Sequence, residues 1–292
     1  MKKSKKIQSA EQVSAIILAF RCPICESEMK VKELKSLVCE QNHTFDFAKQ
    51  GYLHLLSHPI KSQYEADLFT ARQKIIMESN LYTSIHQVIS KLIQKHVNVS
   101  EVLMIDLGCG EGSHLQRILD ESIDQKFTGI GLDIAKEGIM LAAKNYEQPT
   151  WLVGDLAHSP IADQSIDVIL NILSPSNYQE FKRILTENGL VIKVVPRANY
   201  LQELRAAFFV KDEKREYSNE DTISLFQKHF HVLERVHFHD SKKITRNELE
   251  NLVRMTPLSW SADPERKLAF VNQSSHEITI DLDILIGKNI VE

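Results

Sequence analysis

The sequence predicts an α/β protein in which helices cover both faces of a mostly parallel sheet, with a small cysteine-containing module before it. Between residues 102 and 195, apolar runs of strand length alternate with stretches of helical periodicity. Such alternation favours a parallel sheet. Three of the four cysteines lie within the first 40 residues, which marks a separate N-terminal unit.

Composition and charge exclude several classes of protein. No segment approaches the roughly 20 consecutive apolar residues that a membrane span needs. The lysine-rich start lacks a small-residue cleavage site, so we expect a cytoplasmic protein. The net charge of -4 does not favour broad electrostatic binding to nucleic acid, so an RNA would have to be held locally. One basic cluster, which is either a solvated tail or an RNA contact, consists of Lys2, Lys3, Lys5 and Lys6.

Two domains are expected. A polar connector at residues 58–63 is typical of a linker and sets the boundary near residue 60. Residues 1–60 would then form the N-terminal tail and cysteine module, and residues 61–292 the α/β domain.

The elements of the larger domain follow from periodicity. Two helices are expected between residues 66 and 96. Strands are expected at 102–107, 127–132, 150–153, 166–173 and 189–195, with helices at 136–146 and 178–186 between them. Helices near 199–209, 219–229 and 246–255 and strands at 231–238 and 276–287 would complete a mixed sheet.

A glycine-rich turn follows the first of these strands, in VLMIDLGCGEGS at residues 102–113. Glycines between a strand and a helix let the backbone approach a ligand closely. A dinucleotide fingerprint would need a glycine at position 113, where this chain has Ser113. The D-x-G-x-G-x-G arrangement instead resembles that of methyltransferases with a Rossmann-like class I sheet, and predicts S-adenosylmethionine (SAM) binding by Asp106, Gly108, Gly110 and Gly112. The alternatives are nicotinamide binding and a structural turn without a ligand.

Two further carboxylates follow the next strands. Asp133 ends the second strand, where it could accept both ribose hydroxyls of a nucleoside. Asp155 follows the third and could accept a hydrogen bond from the adenine amino group, or else cap a helix. Cys109 lies between glycines and is interpreted as a small turn residue, since a catalytic thiol needs a cationic neighbour.

The N-terminal cysteines have the spacing of a zinc site. Cys22-Pro-Ile-Cys25 and Cys39-Glu-Gln-Asn-His43 form two knuckles separated by thirteen residues. Four such ligands leave no open coordination position, so the metal would be structural. His54 or His58 could instead supply the fourth ligand. Alternatively, the cysteines are simply buried and bind no metal. Cations and aromatic residues in and after the module could contact RNA or, for Phe45 and Phe47, form its core: Lys30, Lys32, Lys35, Phe45, Phe47, Lys49 and Tyr52.

Together, the zinc knuckles, FDFAKQGYLHLL at residues 45–56, IDLGCGEG at 105–112 and MTPLSW at 255–260 resemble the RlmA family of 23S ribosomal RNA guanine-N1 methyltransferases. The resemblance covers nearly the whole chain. It implies methyl transfer from SAM to N1 of a guanine in hairpin 35 of that RNA, with the zinc module recognising the RNA. It also suggests a homodimer.

Residue by residue, the resemblance assigns zinc to Cys22, Cys25, Cys39 and His43, and cofactor contacts to Tyr82, Gly110, Glu111 and Tyr200. The loop after the fourth strand, residues 171–177, lacks the Asn-Pro-Pro-aromatic motif of exocyclic-amine methyltransferases, which fits a ring-nitrogen target. Ser174 and Asn177 are candidates to orient the base. The competing functions are a small-molecule methyltransferase and a zinc-containing RNA-binding protein without enzymatic activity.

Overall fold

The computed structural model describes residues 3–57, 64–121, 126–209 and 217–290. Its helices are α1 (Lys5–Ala15), α2 (Ala66–Met77), α3 (Thr83–His96), α4 (Ser113–Asp120), α5 (Lys136–Asn145), α6 (Tyr178–Ile184), α7 (Gln202–Phe208), α8 (Glu220–His229), α9 (Arg246–Met255) and α10 (Pro264–Val271). Its strands are β1 (Met29–Lys32), β2 (Ser36–Cys39), β3 (Thr44–Asp46), β4 (Tyr52–His54), β5 (Glu101–Leu107), β6 (Lys126–Asp133), β7 (Thr150–Val153), β8 (Ile166–Ile172), β9 (Leu185–Pro196), β10 (Phe230–Thr245) and β11 (Ser275–Asn289).

The main sheet has eight strands in the order β10-β11-β9-β8-β5-β6-β7-β4. Strands β4 to β9 pair in parallel, whereas β11 is antiparallel to both β9 and β10. The strands of the centre are apolar on both faces, as expected when helices cover both sides of a parallel sheet. The predicted mixed α/β sheet is therefore confirmed.

The strand order explains where a ligand can bind. From β5 the chain runs outward through β6 and β7, and then returns to the other side of β5 at β8. At such a switch point the loops after neighbouring strands diverge and leave a crevice at the carboxyl ends of the strands. The glycine turn after β5 lies at this crevice.

The N-terminal segment is connected closely to the main sheet. Strands β1 to β3 form a separate antiparallel sheet, but β4 pairs with β7 as the edge strand of the main sheet. Residues 58–63, which hold the predicted boundary and His58, lie outside the described residues, so the division near residue 60 stays a prediction.

The basic N-terminus, expected to be either a solvated tail or an RNA contact, forms a helix from Lys5 onward. Ser4 caps α1, and Lys5 Nζ donates a hydrogen bond 2.8 Å long to the Ala143 carbonyl near the end of α5. A cation near a helix C-terminus is favourable because the last carbonyls carry partial negative charge. Lys3 pairs with Glu11 at 2.6 Å, and Lys2 lies outside the described residues.

In the described part of the chain, every helix is too short or too polar to span a membrane.

Candidate functional site

A cavity of about 890 Å³ opens beside the carboxyl ends of the parallel strands. It is lined by the glycine turn, the ends of β6, β8 and β9, α2 and residues 255–258. Its volume lies within the usual range of roughly 300–1,000 Å³ for small-molecule sites. It can hold a nucleoside cofactor with part of a second substrate.

The glycine turn brings the backbone to the cavity surface. Gly108 and Gly110 both line the cavity and have positive φ angles of 82° and 60°, which L residues rarely adopt. A Cβ atom at Gly110 would lie 2.1 Å from Arg72 Nη1. Any larger residue at position 110 would therefore displace the Arg72 side chain or the turn.

Asp133 holds this turn in place. Its Oδ2 accepts a hydrogen bond of 2.7 Å from the Gly110 amide, and its Oδ1 accepts one of 2.8 Å from the Ala135 amide. A carboxylate has about four acceptor positions, so these two bonds leave capacity on a side chain that also lines the cavity. This placement suits the predicted acceptance of ribose hydroxyls.

Arg72 on α2 is the cation of a buried charge network that the sequence did not reveal. Its Nη1 lies 3.1 Å from Glu111 Oε2. Burial by itself would lower the pKa of Arg72. The nearby carboxylates of Glu111, Asp106 and Asp133 have a larger effect in the opposite direction, so the pKa of Arg72 is raised. Burial raises the pKa of Asp106 to about 7, against the opposing effect of Arg72.

Several oxygens in this network have no hydrogen-bond donor among the described residues. They are Asp106 Oδ1 and both carboxylate oxygens of Glu111, whose contact with Arg72 lacks hydrogen-bond geometry. Buried polar atoms without a partner are unfavourable unless a ligand or water satisfies them. Of this network, Asp133 and Arg72 line the cavity, so a carboxylate and a guanidinium are both available to a ligand. SAM carries a sulfonium and an ammonium group against a single carboxylate, and the residues present fit it.

Two tyrosines meet beside this network. The hydroxyls of Tyr82, which precedes α3, and Tyr200, which follows β9, lie 2.7 Å apart. Both residues line the cavity, and burial raises the pKa of each hydroxyl, so both remain neutral. The two positions that the resemblance assigned separately to the cofactor are therefore adjacent.

The structure separates the predicted cofactor residues into two groups, and their roles stay predictions. Those that line the cavity are Tyr82, Gly108, Gly110, Asp133, Asp155 and Tyr200. Asp106 and Glu111 are buried behind them, and a Cβ atom at Gly112 would lie 2.2 Å from the Trp151 ring, away from the cavity lining. Cys109 is also buried, and burial raises the pKa of its thiol well above the usual value, as expected of a turn residue.

The loop after β8 places its two candidate residues differently. Ser174 lines the cavity, and its hydroxyl donates to the Leu107 carbonyl at 2.8 Å. Asn177 caps α6 by accepting a 3.1 Å hydrogen bond from the Glu180 amide, and it is not among the residues that line the cavity. Neither side chain has the environment of a strong base.

The predicted zinc ligands converge on one point. The Sγ atoms of Cys22, Cys25 and Cys39 and a ring nitrogen of His43 all lie within 4.8 Å of one another. Cys25 Sγ lies 3.6 Å from Cys39 Sγ, and His43 Nδ1 lies 3.5 Å from Cys22 Sγ and 3.4 Å from Cys39 Sγ. Zinc–sulfur bonds of about 2.3 Å in a tetrahedron separate the ligand atoms by about 3.7 Å. The cluster fits a closed Cys₃His zinc centre, and the other described candidate, His54, lies on β4 outside it.

The surroundings of the zinc centre settle the role of the nearby aromatic residues. Phe47 is 2% exposed and packs in the core with Leu37 and Leu53, and Phe45 is partly buried against the same cluster. Phe47 therefore belongs to the core, and Phe45 packs against it. The lysines of this module remain exposed: Lys30, Lys32, Lys35 and Lys49.

Comparison with known proteins agrees with both parts of this architecture. The sequence profile of the zinc-ribbon family described as RlmA, N-terminal, matches residues 20–62, and the profile described as methyltransferase domain matches residues 98–252. Those two matches confirm the predicted zinc module and the class I SAM-dependent methyltransferase fold.

The curated relatives match over almost their whole length. YxjB of Bacillus subtilis (strain 168), provisionally named a 23S rRNA (guanine-N(1)-)-methyltransferase, is 40% identical, with 92% of this chain and 96% of the relative covered. The 23S rRNA (guanine(748)-N(1))-methyltransferase of Streptomyces fradiae is 26% identical, with 94% of this chain and 98% of the relative covered. The Bacillus subtilis relative is 40% identical over nearly its whole length, and the two family profiles match this chain one after the other. The chain therefore belongs to the RlmA family of 23S rRNA (guanine-N1)-methyltransferases.

Proposed function

We propose that this protein transfers a methyl group from SAM to N1 of a guanine in hairpin 35 of 23S ribosomal RNA. The observation that carries the proposal is the presence of a SAM-type cavity and a zinc ribbon in one chain, which matches relatives named as 23S rRNA guanine-N1 methyltransferases over almost their whole length. Residues 255–258 of the family segment also line this cavity, so the part of the resemblance that is most distant in sequence belongs to the same site.

In this proposal, the cofactor lies along the glycine turn. Gly108 and Gly110 give it close access to the backbone, Asp133 accepts the ribose hydroxyls and Asp155 accepts from the adenine amino group. Tyr82 and Tyr200 contact it through their paired hydroxyls. When bound, SAM supplies a methyl group already activated by the sulfonium, so the protein mainly has to align donor and acceptor and exclude water.

The RNA would approach from the open side of the cavity. Trp260 is 49% exposed, and its ring lies 5.6 Å from that of Tyr64, which lines the cavity. Exposed aromatic rings are suited to stacking on bases that have left a helix. The exposed lysines of the zinc module supply local positive charge on a protein of net charge -4, which fits an RNA that is held at a few places.

Guanine N1 carries a proton and is paired in a regular helix. The target base must therefore lie in a loop or be flipped into the cavity before methyl transfer. A homodimer would widen the RNA-binding surface, and it remains a prediction from the resemblance.

Arg72 is expected to bind the carboxylate of the methionine part of SAM, because it is the cation beside the glycine turn. We expect Arg72→Met to weaken SAM binding at least tenfold, since a hydrogen bond to a charged group contributes about 1.5–3 kcal/mol. Arg72→Lys should lose less affinity for SAM, because lysine keeps the positive charge but lacks the planar guanidinium group that can donate two parallel hydrogen bonds. Isothermal titration calorimetry with SAM measures both, with Arg254→Met, an exposed change on α9, as the control. Wild-type affinity in Arg72→Met would contradict this role.

Primer extension on 23S rRNA tests the proposed function in cells. A strain lacking the gene should lose a reverse-transcriptase stop in hairpin 35, since a methyl group on N1 blocks pairing, and the gene supplied in trans should restore it. A stop that persists in the deletion strain would contradict the proposal. Loss of methylation of a metabolite instead would favour a small-molecule methyltransferase.

A further inference from the structure

Lys193 is a buried cation at the base of the cavity. It lies near the end of β9, between Asn171 of β8 and Leu285 of β11 in the strand register. The residue is 4% exposed and lines the cavity. A buried charge is costly unless it is hydrogen-bonded or meets a ligand, so its partners show what it can do.

Two acceptors fix the position of the ammonium group. Lys193 Nζ donates hydrogen bonds to Asn171 Oδ1 and, at 2.6 Å, to the Ser174 carbonyl. Asn171 is itself fixed, because its Nδ2 donates to the carbonyls of Leu107 at 2.8 Å and Pro175 at 2.9 Å. An ammonium group has three N–H donors. Across residues 3–57, 64–121, 126–209 and 217–290, no acceptor takes the third one.

No carboxylate neutralises this charge within the described ranges. Asp283 on β11 lies opposite Val195, but it binds Arg197, Arg235 and Asn219. The other titratable groups of the described cavity wall are Tyr64, Arg72, Tyr82, His114, Asp133, Asp155, Tyr200, Arg205 and Tyr217. Burial alone lowers the pKa of Lys193, to about 8, so the amine is mostly charged at pH 7.

We propose that Lys193 donates its third hydrogen bond to O6 of the target guanine, and thereby both selects guanine and stabilises the negative charge that develops on O6 during the reaction. This role rests on the proposed function. O6 is an acceptor adjacent to N1 in guanine, whereas adenine carries an amino donor at the corresponding place. A fixed donor in a site that excludes water is most effective where charge develops in the transition state.

The reaction balances without a protein base. Guanine N1 forms a bond to the methyl carbon while the carbon–sulfur bond breaks, and sulfur keeps the electron pair of that bond. The N1 proton passes to water. As it leaves, negative charge spreads from N1 to O6, where the Lys193 ammonium stabilises it, so Lys193 starts and ends the reaction protonated.

Single-turnover methylation of a transcript of the 23S rRNA hairpin, by the purified full-length protein, tests the role of Lys193. We expect Lys193→Met to slow the reaction by about 10²–10³-fold, as removal of an oxyanion-stabilising donor does, and Lys193→Arg to retain more of the rate. Affinity for SAM, measured by calorimetry, should stay within about twofold in both, which also shows that they fold. Lys182→Met removes a charge from α6 outside the cavity lining and should leave the rate unchanged.

Two further readouts separate this role from a structural one. Filter binding should show that the wild type prefers the transcript with the target guanine to one with adenine at that position, and that Lys193→Met loses this preference. The neutral amine has only two N–H bonds, which Asn171 Oδ1 and the Ser174 carbonyl occupy, so only the charged amine has a third to donate to O6. The ratio of the wild-type rate to the Lys193→Arg rate should therefore fall as the pH rises through about 8. The ratio cancels the ionisation of guanine itself.

Three outcomes would overturn the assignment. One is a wild-type rate and base preference in Lys193→Met. Another is a Lys193→Arg protein as slow as Lys193→Met, with the rate ratio rising through pH 8, which would make Lys193 a base. The third is a wild-type protein that methylates no guanine N1, in which case the proposed function fails first and the role of Lys193 with it.

Discussion

Asp133→Ala should weaken SAM binding by about a hundredfold or more, since two hydrogen bonds to a charged acceptor contribute about 3–6 kcal/mol together. The carboxylate both holds the Gly110 amide at 2.7 Å and faces the cavity, so its removal loosens the turn and removes the acceptor for the ribose. Isothermal titration calorimetry with SAM and with S-adenosylhomocysteine measures the effect.

The comparison variants make this test specific. Asp120→Ala removes an exposed carboxylate from α4 and should leave the affinity unchanged. Asp133→Asn keeps the shape and one acceptor oxygen, so its affinity should fall between those of the wild type and Asp133→Ala. An unchanged affinity in Asp133→Ala would remove Asp133 from the cofactor site.

Cys25→Ser should abolish stable zinc binding and, with it, methylation of the RNA. A structural zinc site contributes directly to folding, and a small antiparallel sheet such as β1 to β3 has little core of its own. We expect the zinc content, measured by atomic absorption, to fall from one equivalent per chain to near zero. SAM affinity should remain within about tenfold, because the described cavity wall contains no residue of the zinc module.

The fourth cysteine supplies a matched control for this change. Cys109 lies in the glycine turn, outside the zinc cluster, so Cys109→Ser should keep one equivalent of zinc. If Cys25→Ser retained its zinc and its activity on RNA, the Cys₃His centre would be wrong.

The sequence was most informative where one short segment contains all the necessary signals. Three features are formed by residues that are close together in the chain: the glycine turn, the zinc knuckles and the strand before Asp133. All three are present in the structure as predicted. The α10 helix was missed although Asp263 and Pro264 are a typical N-cap and first residue. Strand β10 extends to Thr245, well beyond the predicted residue 238, because the antiparallel partner β11 pairs with it along its length. Polar residues such as Lys242 and Lys243 interrupt the apolar pattern there, so the sequence did not predict a strand beyond residue 238.

Arg72 and Lys193 could not be found in this way. Arg72 stands in a helix, where an arginine is usually solvent-exposed, and only the packing of α2 over the glycine turn buries it. Lys193 interrupts an apolar strand, but its meaning depends on Asn171 and Ser174, which come from the preceding strand and loop. Such contacts are set by the tertiary fold rather than by local sequence.

The most direct test of the central claim is methyl transfer by the purified protein from isotopically labelled SAM to unmodified 23S rRNA, followed by digestion and mass spectrometry of the nucleosides. The account predicts labelled 1-methylguanosine that maps to hairpin 35 and disappears with Asp133→Ala and with Cys25→Ser. Label in another nucleoside, or no label in RNA from a protein that binds SAM and zinc, would contradict it.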